Sequence, residues 1–374
     1  MRKKRMLMLL GSVILALMLA VPLIVACAAP SPSPSPSPSP SPSPSPSPSP
    51  SPSPTPPPTQ QVIKWRMQDL VSEGLRWQSE HFVNQVKDMS NGRLIIDLFM
   101  GGELMDPEEE HHALSQGTIQ VVRDSPVYCN DVIDIANIVF GLPRAWTGQM
   151  AVFTIFRRMG MLDLAREAWA EYNIRYLANT AEPPYAMIGA KDISSLKAIQ
   201  GMKMRAYGLT AEWLDSVGAK TTYIPSAEIY TAFATGTIDA CVYGGASDYK
   251  DMSLGEVCKY YLKDPYMVNP NTDYIGVNMD AWNSLPEDLQ EIVYVAAREA
   301  AGRVGVVGWT DYELKGTVTM LNEGAEYVQM EDAALTVLAE KAKEQWADIA
   351  AASPRNAEMM AIYEQYMKEL GYID

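Results

Sequence analysis

The chain has 374 residues, with 30 Lys and Arg against 45 Asp and Glu. Four of the cations are Arg2 to Arg5; beyond them 26 face 45, leaving a net charge of −19. So acidic a body repels phosphate backbones and anionic headgroups, which excludes nucleic acid as a partner and adsorption to lipid, and an anionic ligand needs a cation placed for it.

The basic start runs into an apolar stretch from Met6 and the tetrapeptide Ile24-Val25-Ala26-Cys27. This is the pattern of a bacterial lipoprotein signal over residues 1–26, cleaved before an acylated Cys27. The apolar run is also about long enough to span a bilayer, so an uncleaved anchor is the alternative. Either way the remainder is extracytoplasmic, tied to the outer face of the cytoplasmic membrane. Residues 27–60 hold the cysteine and twelve Ser-Pro pairs, Ser31 to Pro54. Every second residue there lacks an N–H and has its φ fixed, so the segment is a stalk. In polyproline II, at ~3 Å per residue, it reaches up to about 90 Å. With Cys27 taken by lipid, Cys129, Cys241 and Cys258 are odd in number and widely spaced. They read as buried thiols, with one bridge as the alternative.

The rest is long enough for two lobes. Val62 to Met67 alternates like a strand; Gly74 to Met89 has helical spacing and is closed by Ser90-Asn91-Gly92. A strand over Arg93–Met100 follows. Asp106-Pro107-Glu108-Glu109 opens a helix that ends at Gly117, and Ile119–Arg123 is the next strand. Thr147–Tyr172 reads as two helices broken at Gly160. A second run opens with strand Ile174–Leu177 and continues with strands Tyr185–Ala190, Lys203–Ala206, Thr221–Ile224 and Ile238–Tyr243. Helices Thr210–Val217 and Ser226–Thr235 lie between them, the latter with Ser226 as N-cap. Strand Tyr274–Met279 returns toward the first sheet, and Pro286–Leu321 is one long helix.

The expected architecture is α/β, a two-lobe periplasmic-binding-protein-like fold with a mainly parallel sheet and flanking helices in each lobe. Lobe I is residues 61–180, with 272–322 contributing a crossing strand and a long helix. Lobe II is 181–271, and 323–374 supplies a C-terminal strand and helices packing across both. Open sheets of this kind place ligands in a cleft at strand carboxyl ends.

Several segments are similar, in order and spacing, to the solute-binding subunits of tripartite ATP-independent periplasmic (TRAP) transporters. They are Phe99-Met-Gly-Gly-Glu-Leu104, His112-Ala-Leu-Ser-Gln-Gly-Thr-Ile-Gln120 and Ile199-Gln-Gly-Met-Lys-Met-Arg205. Gly218-Ala219, Pro225-Ser-Ala-Glu-Ile-Tyr230, Ala232 to Ala240 and Trp282-Asn-Ser-Leu-Pro-Glu-Asp-Leu-Gln290 complete the set. The resemblance covers Val62 to Asp374, and Lys259-Tyr-Tyr-Leu-Lys-Asp-Pro265 places it nearest the 2-oxoacid and monocarboxylate branch of the dicarboxylate-receptor family.

That resemblance implies a receptor with no enzymatic activity and no cofactor, which captures a small organic acid anion and delivers it to a membrane permease, as monomer or homodimer. It makes Arg205 the fork-shaped anchor for the ligand's carboxylate, a role that suits a guanidinium's two parallel donors. The bland reading is an ion pair with Glu182 or Glu228. Tyr185, Tyr243, Gly244, Asn269 and Glu182 complete the expected ligand set, with a core role as the alternative for both tyrosines. In that branch two carboxylates hold a bridging cation; here Val242 and Asn269 stand in their places, which weakens the case for a metal.

Other patterns point elsewhere. Glu108-Glu-Glu-His-His112 has Glu-x-x-His spacing but no second copy, so it reads as a solvated acidic first turn. Gly302, Gly305 and Gly308 suggest close helix packing. No phosphate loop or nucleophile elbow is present. An exported hydrolase-like enzyme assembled from distant residues, or a ligand-sensing lipoprotein, remains the runner-up.

Overall fold

The computed structural model describes residues 62–71, 75–145, 150–180, 182–262, 267–268 and 271–373. The signal segment, Cys27, the stalk and Asn269 lie outside them.

Five strands make the first sheet: β1 (Ile63–Asp69), β2 (Leu94–Met100), β3 (Val121–Asp124), β4 (Ile174–Asn179) and β10 (Tyr274–Asn278), in the order β2-β1-β3-β10-β4. The second sheet holds β5 (Met187–Gly189), β6 (Lys203–Arg205), β7 (Lys220–Thr222), β8 (Ala240–Val242), β9 (Tyr260–Leu262) and β11 (Glu326–Tyr327), in the order β11-β9-β5-β8-β6-β7. Both sheets are mixed. β1 runs parallel to β2 and β3, but β10 is antiparallel to β3 and β4, and β5 is antiparallel to β8 and β9. The antiparallel members are those a chain supplies when it crosses between lobes and returns.

Strand Ile174–Leu177, read as opening the second run yet lying within the expected bounds of lobe I, closes the first sheet as β4 against β10. Its residues are almost continuously buried, as a strand covered on both faces requires. The returning strand β10 sits where expected. The break at Gly160 is also found, its φ of +99° separating helices Met150–Arg158 and Met161–Ala170. Ser226 is not an N-cap: Pro225 takes that position, and Ser226 begins a 3-10 turn without a capping side-chain bond. Glu110 and His111 are buried, so only part of the acidic turn is solvated; Gln68 Nε2 donates to Glu110 Oε1 at 2.7 Å.

The long helix forms in two pieces, Glu287–Glu299 and Gly305–Asn322, joined by a π turn over Ala300–Val304. Its glycines do set close packing. A Cβ on Gly308 would meet the Trp77 ring at 2.2 Å and one on Gly305 would meet Gln78 Nε2 at 2.6 Å, so helix Trp77–Met89 lies directly against them.

Helices Asp332–Ala352 and Pro354–Glu369 bind elements of both lobes. Trp213 Nε1 donates to Leu338 O at 2.9 Å, Trp346 Nε1 donates to Pro143 O at 3.2 Å and the Tyr363 hydroxyl donates to Ile138 O at 3.3 Å. Trp169, Trp213 and Phe82 are fully buried, each contributing on the order of 2–3 kcal/mol of hydrophobic stabilisation. No helix among the described residues is long and apolar enough to cross a membrane.

Candidate functional site

The carboxyl ends of β1, β3, β6 and β8 converge on a cleft of about 720 Å³, counted with its opening. Arg205, Tyr185, Tyr243, Gly244 and Glu182 all line it. Five expected ligand residues are thus together, and the sixth, Asn269, falls outside the described residues.

Arg205 ends the short β6 and is 4% exposed. Its Nε donates to Ile224 O at 3.1 Å and its Nη1 to Val242 O at 3.3 Å. The Tyr243 ring lies 4.8 Å from the guanidinium carbon and the Tyr223 ring 5.6 Å. Carbonyls and aromatic faces therefore fix the fork in place without neutralising it. No ion pair to Glu182 or Glu228 forms among the described residues, and Arg205 is the only cationic side chain lining the cleft there.

Tyr185 is anchored by its backbone, its N–H donating to Val268 O at 3.0 Å, and its ring meets Phe140 edge-on at 5.6 Å. Burial pushes the Tyr243 hydroxyl up to about 12 and the Tyr185 hydroxyl well above its usual range, so both face the cleft as neutral phenols. Gly244 is needed as such: a Cβ would lie 2.3 Å from Asp248 Oδ2.

Glu182 belongs to a different constellation. Arg123 at the end of β3 is completely buried; its Nη2 reaches Glu182 Oε1 at 2.7 Å and Asp273 Oδ2 at 3.1 Å, and its Nη1 reaches Asp69 Oδ1 at 3.1 Å. Burial alone would lower its pKa, but the three carboxylates outweigh that and raise it. Asp273 is held well above the usual carboxylate range by burial and then by Glu182, against the pull of Arg123. Asp248, which accepts the Gly245 N–H at 3.0 Å, is pushed by burial up to about 7.

Sequence reasoning missed Arg123, Asp273, Asp248 and a rim of tyrosines. Tyr128 meets Tyr207 at 5.9 Å across the cleft, and Tyr207 meets Tyr223 at 5.1 Å. The Tyr223 hydroxyl donates to Glu108 Oε1, joining the second sheet's lobe to the first. Helix Ala246–Asp251 offers no free N-terminus, because Glu313 accepts from Ala246 N at 2.8 Å and Ser247 N at 3.0 Å.

Among the described residues, the carboxylates at the cleft are already engaged. Val242 presents hydrocarbon, Glu182 and Asp273 are engaged by Arg123, and Asp248 is engaged by Gly245. A hard cation needs several free oxygens.

The three remaining thiols are all unpaired and buried.

Residues 76–353 match the model of the bacterial extracellular solute-binding protein family 7. A monocarboxylate 2-oxoacid-binding periplasmic protein of Nostoc sp. is 28% identical over 241 residues, 64% of this chain and 66% of that protein, so the match spans just under two thirds of its length. An ectoine-binding periplasmic protein of Halomonas elongata is 23% identical over 251 residues, 61% of this chain and 70% of that protein. Among solved structures, a TRAP periplasmic solute-binding protein from Pseudoalteromonas atlantica with bound sodium and pyruvate superposes with a TM-score of 0.75 at 24% identity, covering 83% of this chain and 96% of that one. A Bordetella pertussis extracytoplasmic solute receptor binding pyroglutamic acid gives 0.74 at 19% identity, over 81% of this chain and 100% of that one. These structures share the two-lobe fold.

Proposed function

Because the chain belongs to the bacterial extracellular solute-binding protein family 7, we propose that its cleft captures a small monocarboxylate of the 2-oxoacid type and delivers it to the membrane permease of a TRAP transporter. One observation carries the reading: a buried guanidinium held by carbonyls and rings, with no carboxylate partner among the described residues, in a body otherwise rich in carboxylates. The ligand's carboxylate supplies the missing counter-charge, with its apolar end against Tyr185 and Phe140. The resemblance to a 2-oxoacid-binding relative supports the ligand class. Because the cleft's own carboxylates are engaged, binding is expected without added metal. Calorimetry of the chelator-treated protein against pyruvate and longer 2-oxoacids tests this; saturable one-to-one binding is expected, and silence toward the whole series would overturn the ligand class.

The receptor is taken to work at the end of its stalk, acylated at Cys27. Intact-mass analysis of the membrane-bound protein should show a chain beginning at a lipidated Cys27, with Cys27→Ala released. A mature chain beginning at Met1 would reject the anchor.

A further inference from the structure

A second recess lies away from the cleft, on the flank of the first sheet, between helices Met150–Arg158, Met161–Ala170 and Glu287–Glu299 and the end of β4. It encloses about 830 Å³ with its opening. Its walls carry Arg157, Arg158, Arg166 and Arg298 against a single carboxylate, Asp163, a local net charge of +3. The cleft is the opposite, with Arg205 facing Glu182, Asp248 and Asp273.

These guanidiniums are gathered, not scattered. Arg166 and Arg298 both lie over the Tyr294 ring, at 5.7 and 5.5 Å, and Arg166 Nη2 donates to the Tyr294 hydroxyl at 3.4 Å. Arg157 lies over Phe153 at 4.7 Å. Only Arg166 has a carboxylate within reach, the exposed Asp163 at 3.4 Å; Arg157, Arg158 and Arg298 make no ion pair among the described residues. Burial first, and then the charge of Arg298, lower the Arg157 pKa. Concentrating cations without counter-charge costs stability in the empty state, and a body of −19 has carboxylates to spare for pairing them elsewhere.

The independent sign is Asn179, the last residue of β4. It is 1% exposed and lines this recess, and neither its Nδ2 nor its Oδ1 has a hydrogen-bond partner. A buried amide left unpaired is costly, and most such groups in folded proteins are satisfied. Arginines on the walls and an unused amide donor at the floor are what a compact oxyanion meets when it enters.

We propose that this recess is a second binding site, for a small multiply charged oxyanion of the phosphate type, held by Arg157, Arg298 and Arg166 with Asn179 at its floor. It is separate from the carboxylate site at Arg205 and does not depend on that assignment. A buried floor beneath the half-buried Arg166 and the exposed Arg157, Arg158 and Arg298 fits a small solute better than a flat acidic protein surface.

The test is calorimetry of the mature protein with inorganic phosphate and with pyrophosphate at fixed low ionic strength. One saturable site is expected, tighter for pyrophosphate. Arg157→Ala combined with Arg298→Ala should weaken it at least tenfold, Asn179→Asp should abolish it by placing a negative charge at the floor, and Arg205→Ala should leave it unchanged. Should the double variant fold poorly, Arg157→Gln alone, checked by circular dichroism, should weaken binding about fivefold. Absent or non-saturable binding, wild-type affinity in the folded arginine variants, or loss on Arg205→Ala would each overturn the site. Capture of an acidic peptide with no response to pyrophosphate would likewise replace it with a protein-docking surface.

Discussion

Two arginines near the carboxyl ends of strands, one in each sheet, are treated in opposite ways. Arg123, in the first sheet, is surrounded by Asp69, Glu182 and Asp273 and has no exposed surface. Arg205, in the second, is given only two carbonyls and two aromatic faces. A guanidinium already satisfied by carboxylates is part of the framework, because another anion would have to displace one of them. One that is positioned but not neutralised has its electrostatic capacity in reserve. The contrast therefore separates the residue that holds the cleft together from the residue that holds what enters it.

Removing Arg123 should break this comparison most visibly. Arg123→Met strands three carboxylates in a dry site and should lower folding stability by about 3–5 kcal/mol, the usual cost of breaking a buried ion pair. Urea denaturation reads it, and a loss below about 1 kcal/mol would mean that the network is not structural. Arg205→Ala should do the converse, leaving the unliganded midpoint nearly unchanged while weakening 2-oxoacid binding by about 2–5 kcal/mol. Arg205→Lys should restore part of that, since an ammonium gives charge without the fork. Binding within threefold of wild type in a folded Arg205→Ala would place the carboxylate elsewhere.

Proton titration sharpens the contrast next. Asp124 follows Arg123 in sequence but makes no ion pair with it; burial pushes its carboxyl up to about 8, although Ser125 N at 2.7 Å and the Tyr274 hydroxyl at 3.1 Å donate to it. The folded chain keeps this proton above the ordinary value of 3.8, where the unfolded chain has lost it. Stability from this group is thus greatest below pH ~4 and falls as the pH rises toward about 8, by at most about 1.4 kcal/mol per unit. Asp124→Asn should flatten that part of the stability profile; an unchanged slope would assign the dependence to other groups. The smallest effect belongs to Tyr223→Phe. Losing the hydroxyl that reaches Glu108 should cost about 0.5–1.5 kcal/mol of the contact between the two lobes and speed ligand release in stopped-flow measurements, with the guanidinium left in place.

The sequence made Arg205 visible because a Gly-x-Lys-x-Arg strand has a recognisable local pattern. Arg123 carried no such signal. It ends an apolar strand, and its partners Asp69 and Asp273 lie 54 and 150 residues away, so only the folded chain brings them together. The alternation of strands and helices was legible from periodicity, as was the role of Gly305 and Gly308. Sheet membership was less so. β4 follows two helices as though starting a new unit, yet its continuous burial is satisfied only between β10 and the helices packed on the first sheet. Likewise Glu110, in a run of five consecutive polar residues after Pro107, gave no hint that Gln68 would receive it in the interior.

Cys129, Cys241 and Cys258 have a practical consequence. Alkylation proceeds through the thiolate, and burial raises all three pKa values, that of Cys241 to about 12. The folded protein should therefore ignore iodoacetamide, and label should enter only during excursions that expose a thiol. Cys129 reports on the turn after β3, Cys241 on β8 and Cys258 on the approach to β9. Peptide mapping of label against time would give each lobe its own opening rate, turning three inert side chains into a clock already installed in the wild-type chain.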